Sequence, residues 1–168
     1  MVTVRDAGPL RVTVTPGPTA DSPSRPKTVP RIEPALEARG RTLDDFEIQY
    51  PIFIATGADE ESFEKSKAAI KYRIGFYGST PAYKPVLDLH GWGDLQPTLR
   101  QLTKENRWSE LPDQITDEML ETFAAVGEPA EAARIVRDRI GGVADSVVLA
   151  ATLPAEALTE QMAILRAD

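Results

Sequence analysis

Two apolar segments with the character of buried strands constrain this chain most, because a long helical stretch separates them. In Phe46–Ala55 apolar residues alternate and the second half is apolar on both faces, while Ser146–Ala150 is a short, continuous apolar run. Strands of this kind are typical of parallel sheets covered by helices. Pro51 has no backbone donor and argues against a fully bonded central position there. Strands that alternate with helices predict an α/β fold.

Helical periodicity and capping signals fill the region between the two strands. Asp59 is a suitable N-cap, and the acidic Glu60 and Glu61 follow it in the first turn. The first helix has the apolar face Phe63, Ile70, Ile74 and Tyr77. Further helices are predicted over Pro81–Leu89, Leu95–Asn106, Asp117–Ala125 and Ala155–Arg166. Another begins at Pro129 and has the apolar stripe Ala132, Ile135, Val136 and Ile140. A connection of this length is unusual between two strands and usually carries function.

The first thirty residues differ from the rest because they contain six prolines. Proline fixes φ and lacks a backbone donor, so this density argues against a helix and against a central strand. The sequence therefore predicts a disordered, partly extended arm over residues 1–30 and a folded region over residues 31–168. Ile32–Arg39 is interpreted as the end of a helix that stops at Gly40, since glycine tolerates the left-handed C′ position.

Charge and composition exclude several classes of function. The chain has 19 basic and 26 acidic residues, a net charge of −7, which argues against non-specific nucleic-acid binding. It has no cysteine and one histidine, so neither disulfides nor a typical metal site is expected. No apolar run is long enough for a membrane span, and no secretory signal is visible. A cytoplasmic protein is the expectation.

Two motifs resemble the luciferase-like monooxygenase superfamily. The first is Phe76–Tyr83 followed by Val86–Gly93, and it looks most like the branch that uses the deazaflavin coenzyme F420. The second, Val126–Ala133, is similar to a helix opening found throughout the superfamily, and Ile115–Glu118 before it also matches. The resemblance covers about residues 31–154.

The resemblance implies a (β/α)₈ TIM barrel that binds a flavin or deazaflavin and transfers hydride to or from a small-molecule substrate. Since a complete barrel needs about 250 residues, the chain is expected to be a partial barrel: its last two parallel strands, with helices on one side. The strands that hold most of the family's cofactor contacts have no counterpart here. Two functions therefore compete: part of an oxidoreductase that uses coenzyme F420, or alternatively FMN, and a non-catalytic truncated relative that serves as an interaction module or remnant.

Residues of the first motif are the candidates for ligand binding that the resemblance implies. Thr80 and Pro81 are suited to a helix start, where the hydroxyls of Ser79 and Thr80 and the free N–H groups of Ala82 and Tyr83 would hold an anion. The alternative is simple capping.

Three rings of the same motif are also candidates. Tyr83 and Trp92 would wall a pocket or else pack in the core, and Tyr77 is expected in the core. His90 is the candidate for proton transfer, because its unperturbed pKa lies near neutrality. The alternative is a helix-end residue that interacts with the helix dipole.

The predicted fragment also has consequences for association. Two strands cut from a closed barrel leave two unpaired edges, which are templates for another chain. The stripes Ile70/Ile74 and Ile135/Val136 would also be exposed. We therefore expect self-association, or binding to a chain that supplies the missing strands.

Overall fold

The computed structural model describes residues 10–13, 24–42, 46–140, 146–148 and 154–166. The strands are β1 (Leu10–Thr13), β2 (Phe46–Pro51), β3 (Phe53–Ala55), β4 (Ala124–Val126) and β5 (Ser146–Val148). The α-helices are α1 (Ser24–Glu37), α2 (Glu60–Ser79), α3 (Lys84–Leu89), α4 (Leu95–Lys104), α5 (Asp117–Phe123), α6 (Pro129–Ile140) and α7 (Ala155–Arg166). Short 3₁₀ turns lie at Pro81–Tyr83, Trp108–Glu110 and Pro112–Gln114. Among the described helices, none combines the length and apolar character of a membrane span.

Every strand pair in the described ranges is parallel, as the sequence predicts. Strand β2 lies between β1 and β5, and β3 pairs with β4. The two predicted strands are therefore neighbours, with Gln49 opposite Ser146 and Pro51 opposite Val148. Ile52 separates β2 from β3 directly after Pro51, where the missing backbone donor interrupts the pairing. The fold is α/β, with short parallel strands arranged as in part of a TIM-type barrel.

Strand β4 is a correction to the sequence analysis. The helix predicted over Asp117–Ala125 ends at Phe123, and Ala124–Val126 forms a strand beside Phe53–Ala55. Three residues are too few to show a period of two, and they follow a helical pattern without a break. The segment forms a strand because it pairs with β3, and Ala124 and Ala125 are completely buried there.

Two segments of the predicted arm form regular structure: the helix contradicts the prediction, whereas the strand lies at the edge of its sheet, and the sequence argues only against a central strand. Strand β1 pairs with β2, and α1 begins at Ser24, with Pro26, Pro30 and Pro34 along it. These prolines are four residues apart, so they remove donors along one face of the helix only. The helix ends at Glu37, two residues before the predicted end at Arg39, and a turn leads to Gly40, whose φ is 64°. The rest of the predicted arm, residues 1–9 and 14–23, lies outside the described residues.

Two hydrophobic clusters cover opposite faces of the β3–β4 pair. The insert cluster joins Ala55 and Ala124 to the buried side chains of α2–α5, among them Ile74 and Leu99. The α6 cluster consists of Tyr50, Ile54, Ala125, Ala132, Val136 and Ile140. Neighbouring residues of a strand point to opposite faces. Because Ile54 and Ala55 belong to different clusters, helices lie on both faces of this pair, and the predicted one-sided arrangement is wrong here.

The apolar stripes that were expected to be exposed are covered by the chain itself. Ile70 and Ile74 are 6% and 5% exposed, Val136 is fully buried, and Ile135 is partly buried. Helix α2 packs closely on its neighbours through two glycines: a Cβ at Gly78 would lie 2.8 Å from Leu99 Cδ1, and one at Gly75 would lie 3.0 Å from Leu111 Cβ. The long insert therefore covers α2, which two isolated barrel strands would leave bare.

Arg139 joins α6 to the end of α5. Its guanidinium donates hydrogen bonds to the carbonyls of Glu121, at 2.7 Å, and Ala124, at 2.8 Å. These carbonyls lie at the C-terminal end of α5, where backbone acceptors lack helical donors. Partial burial lowers the pKa of the guanidinium from its ordinary value. The contact fixes the position at which β4 begins.

Candidate functional site

The loops that follow β3 and β4 meet at one edge of the sheet. Thr56 and Gly57 follow β3, Gly127 and Glu128 follow β4, and the Gly127 N–H donates to the Ala55 carbonyl at 3.2 Å. The helices that continue from these loops, α2 and α6, lie on opposite faces of the strand pair. Loops that leave adjacent strand ends toward opposite faces leave a crevice, the usual ligand position in open α/β sheets. We call the region between these loops the carboxyl-edge crevice.

Two glycines shape this crevice. A Cβ at Gly57 would overlap the backbone of Phe63 in the first turn of α2. Gly127 has a φ of 155°, and a Cβ there would lie 2.7 Å from Glu131 Oε2. Both positions therefore require glycine, one through close approach of two backbone segments and the other through its φ. The carboxylate of Glu131 lies over the loop that follows β4.

The helix that follows the first loop is already capped. Ser62 donates its backbone N–H to Asp59 Oδ1 at 2.7 Å, and the Asp59 N–H donates to Ser62 Oγ at 3.1 Å. The first of these bonds holds the pKa of the Asp59 carboxyl below its ordinary value. The reciprocal cap satisfies two of the backbone donors at the start of α2.

Thr56, directly after β3, has a buried hydroxyl without a hydrogen-bond partner. The residue is 6% exposed, and its backbone N–H donates to Ser66 Oγ at 3.1 Å. Its Oγ1 is buried and has no hydrogen-bond partner. Two further buried side-chain atoms in the described part of the chain share this property, His90 Nε2 and Gln161 Oε1. Buried polar atoms without partners are uncommon in folded proteins.

The predicted anion cradle at Ser79 and Thr80 is not formed as expected. The Ser79 hydroxyl donates to the Phe76 carbonyl at 2.7 Å, and the side chain of Thr80 makes no capping hydrogen bond. The Tyr83 N–H, expected to be free, donates to the Thr80 carbonyl at 2.9 Å. The predicted helix Pro81–Leu89 is divided: a 3₁₀ turn precedes the six-residue α3, which has Pro85 in its first turn. In the 3₁₀ turn the backbone N–H of Tyr83 is bonded within the turn, whereas in the first turn of a longer α-helix it would be free to bind an anion.

The predicted aromatic residues form two groups. Tyr77 contacts the rings of Tyr83, at 5.3 Å between centroids, and Phe53, at 6.1 Å, and it is 40% exposed rather than in the core. His90 stacks on Trp92 at 5.0 Å, and Phe123 lies edge-on to both at 5.4 and 5.7 Å. Trp92 also packs against the insert cluster.

The second group lies away from the carboxyl-edge crevice. Phe123 directly precedes β4, so His90 and Trp92 lie near the N-terminal end of that strand. His90 directly follows the last residue of α3. This is the position expected from the alternative interpretation of His90 as a residue at a helix end. Ligand binding by Ser79, Thr80, Tyr83, His90 and Trp92 stays a prediction.

The crevice residues were not singled out from the sequence. In the sequence Thr56-Gly57-Ala58 indicates only a turn between a strand and a helix, and Gly127 only part of a helix opening. A glycine directly after an apolar run was the available signal for both loops. Across the described residues, no three His, Asp or Glu side chains are grouped as a metal site would need.

Comparison with known proteins gives a consistent family. A family model described as luciferase-like monooxygenase matches residues 3–165. Uncharacterized proteins of Mycobacterium bovis and Mycobacterium tuberculosis are 42% identical over 121 residues, which is 72% of this chain and 36% of each relative. The chain thus spans about a third of the length of these curated relatives.

One solved structure resembles the fold over nearly the whole chain. Coenzyme F420 dependent tetrahydromethanopterin reductase from Methanopyrus kandleri matches with a TM-score of 0.65 at 20% identity, covering 92% of this chain and 42% of that protein. At this identity the likeness concerns the fold alone.

Proposed function

Because this chain belongs to the luciferase-like monooxygenase family, we propose that it forms part of an oxidoreductase that transfers hydride between a deazaflavin or flavin and a small-molecule substrate. Coenzyme F420 is the first candidate and FMN the alternative. The preference for F420 is supported by the Phe76–Gly93 motif and by the F420-dependent protein whose fold is similar. The observation that carries the proposal is the carboxyl-edge crevice, because barrel enzymes place their sites at the carboxyl ends of strands.

The charge beside the crevice indicates which part of a cofactor it would take. Gly57 packs against the backbone of Phe63 and Gly127 lies beside Glu131, so these two glycines hold the loops in place. Glu128 and Glu131 are exposed beside the loop after β4, and their negative charge disfavours phosphate there. We therefore assign a neutral ring portion of the cofactor, rather than its phosphate-bearing tail, to this edge. A bound deazaflavin or flavin would supply the hydride-transfer chemistry, and the chain's own contribution is to orient the ring and exclude water.

A fluorescence titration of the purified chain with coenzyme F420, and separately with FMN, tests this proposal. We expect saturable binding of F420. Two variants locate the site: Gly127→Ala at the crevice and Gly91→Ala beside His90 and Trp92. Both glycines have positive φ, 155° and 76°, so both substitutions strain the backbone. Gly127→Ala should weaken binding and Gly91→Ala should leave it unchanged. The reverse result would place the site at the first motif, and no binding of either cofactor would refute cofactor binding by this chain.

We also propose that the chain associates through its sheet edges. Of the described strands, only β2 pairs on both sides, and each of the other four pairs on one side only. Such edges favour pairing with a second copy or with a chain that supplies neighbouring strands. Size-exclusion chromatography with light scattering across a dilution series should show a mass that rises with concentration, or a stable complex with such a chain. A monomer under all these conditions would contradict the proposal. Association without cofactor binding would instead favour the non-catalytic interaction module.

A further inference from the structure

We propose that the Thr56 hydroxyl donates a hydrogen bond to a ring carbonyl of the ligand that occupies the carboxyl-edge crevice. This inference rests on the function proposed above. Thr56 is the first residue after β3, its side chain is buried, and Oγ1 has no partner. It therefore combines a position at the carboxyl end of a strand with an unmet hydrogen-bonding capacity.

The contacts of Thr56 leave only its hydroxyl for this role. The backbone N–H is already bonded to Ser66 Oγ, which ties the residue to α2 and fixes its place. A buried hydroxyl without a partner costs free energy that valine, of nearly the same shape, would not cost. An acceptor that arrives with a ligand would recover that free energy. The unpaired hydroxyl therefore destabilises the ligand-free chain, and its hydrogen bond to the ligand would stabilise the complex.

The charge of the surroundings decides which ligand atom it meets. The carboxylates of Glu128 and Glu131 disfavour an anionic group at the neighbouring loop. A neutral carbonyl oxygen accepts a hydrogen bond without bringing a charge. Flavin and deazaflavin rings carry such carbonyls along one edge, so this ligand class satisfies both conditions.

The other two unpaired atoms do not share this position. His90 lies near the N-terminal end of β4. The amide of Gln161 is anchored by its Nε2, which donates to the Pro129 carbonyl at 2.9 Å and so joins α7 to α6. Gln161 therefore serves as a structural control, because its loss should affect the packing of two helices rather than the ligand.

The test compares Thr56→Val with Thr56→Ser in the same fluorescence titration and in thermal unfolding without ligand. Thr56→Val should weaken F420 binding roughly 5-fold, the loss of one neutral hydrogen bond, and Thr56→Ser should stay within about 2-fold of wild type. Without ligand, Thr56→Val should unfold at or above the wild-type temperature. Gln161→Met should unfold at a lower temperature and bind F420 as wild type does.

Each outcome bears on the proposal. Equal affinities of wild type and Thr56→Val would overturn this inference and leave the proposed function standing. No binding of F420 or FMN by wild type would overturn the proposed function and this inference with it. A fall of several degrees in the unfolding temperature of ligand-free Thr56→Val would mean that the hydroxyl has a structural partner, which also overturns the inference.

Discussion

Replacing Gly127 with alanine tests how the loop after β4 is built. Its φ of 155° lies in a region that residues with a Cβ rarely adopt. The strain of such a conformation costs about 1–3 kcal/mol. The added Cβ would also lie 2.7 Å from Glu131 Oε2, but this side chain is exposed and relieves the overlap by rotating. We therefore expect a loss of about 2 kcal/mol in the free energy of unfolding, nearly all of it from the backbone.

Thermal unfolding followed by circular dichroism measures this loss. For a domain of this size, about 2 kcal/mol corresponds to a Tm lower by roughly 4–8 °C. The double variant Gly127→Ala/Glu131→Ala, compared with Glu131→Ala alone, should show the same loss within about 0.5 kcal/mol, because no overlap remains to be relieved. Full recovery in the double variant would show that the carboxylate, and not the backbone, is the cause. A Gly127→Ala chain as stable as wild type would refute the reasoning altogether.

Three further substitutions test the core, the α5–α6 contact and a helix cap. Leu99→Ala removes a fully buried side chain and should cost about 3 kcal/mol in urea unfolding, whereas Leu89→Ala, at a residue 78% exposed, should cost less than about 0.5 kcal/mol. Arg139→Met loses two bonds to carbonyls and should cost about 1–2 kcal/mol, against almost nothing for Arg137→Met, whose bonds go to the adjacent residue. The pKa of Asp59 is lowered in the folded chain, so its stabilisation is present above the ordinary value of 3.8 and is lost as the pH falls through the folded pKa. Asp59→Ala should remove this part of the acid dependence of Tm, and an unchanged dependence would contradict the cap.

Several helix boundaries could be predicted because the signals that set them are local, whereas the predicted ends of α4 and α5 lie two residues too late. Asp59, Pro129 and Gly40 act within one helical turn, and each lies where the sequence places it. Helix α7 likewise has the predicted bounds Ala155–Arg166. Such positions need no knowledge of the rest of the chain.

Strand β4 and the segments β1 and α1 could not be predicted, because distant partners decide them. Three residues become a strand at β4 only because β3 supplies the hydrogen bonds. Strand β1 lies within a proline-rich sequence and is paired along β2. Helices cover both faces of the β3–β4 pair because the connections that follow these strands leave toward opposite faces. No local sequence pattern determines those directions.

The residues of the candidate site likewise divide into those that local sequence indicates and those that depend on distant partners. The candidates that the sequence indicates are Ser79, Thr80, Tyr83, His90 and Trp92, because side chains with useful chemistry are concentrated there. The carboxyl-edge crevice is built instead from short loops far apart in sequence, which meet only once β3 and β4 pair. The unpaired hydroxyl of Thr56 is a property of packing and is invisible in the sequence.

The three prolines of α1 affect how quickly this chain reaches its final form. In the structure every described peptide bond is trans. In an unfolded chain each bond before a proline is cis in about 10–30% of molecules, so roughly a quarter to two thirds of molecules hold at least one wrong isomer before Pro26, Pro30 or Pro34. Each correction takes tens of seconds at 25 °C, far longer than helix formation itself. In these molecules α1 is completed only after the slowest of the three bonds has turned, and buried Leu36 reaches its place no earlier.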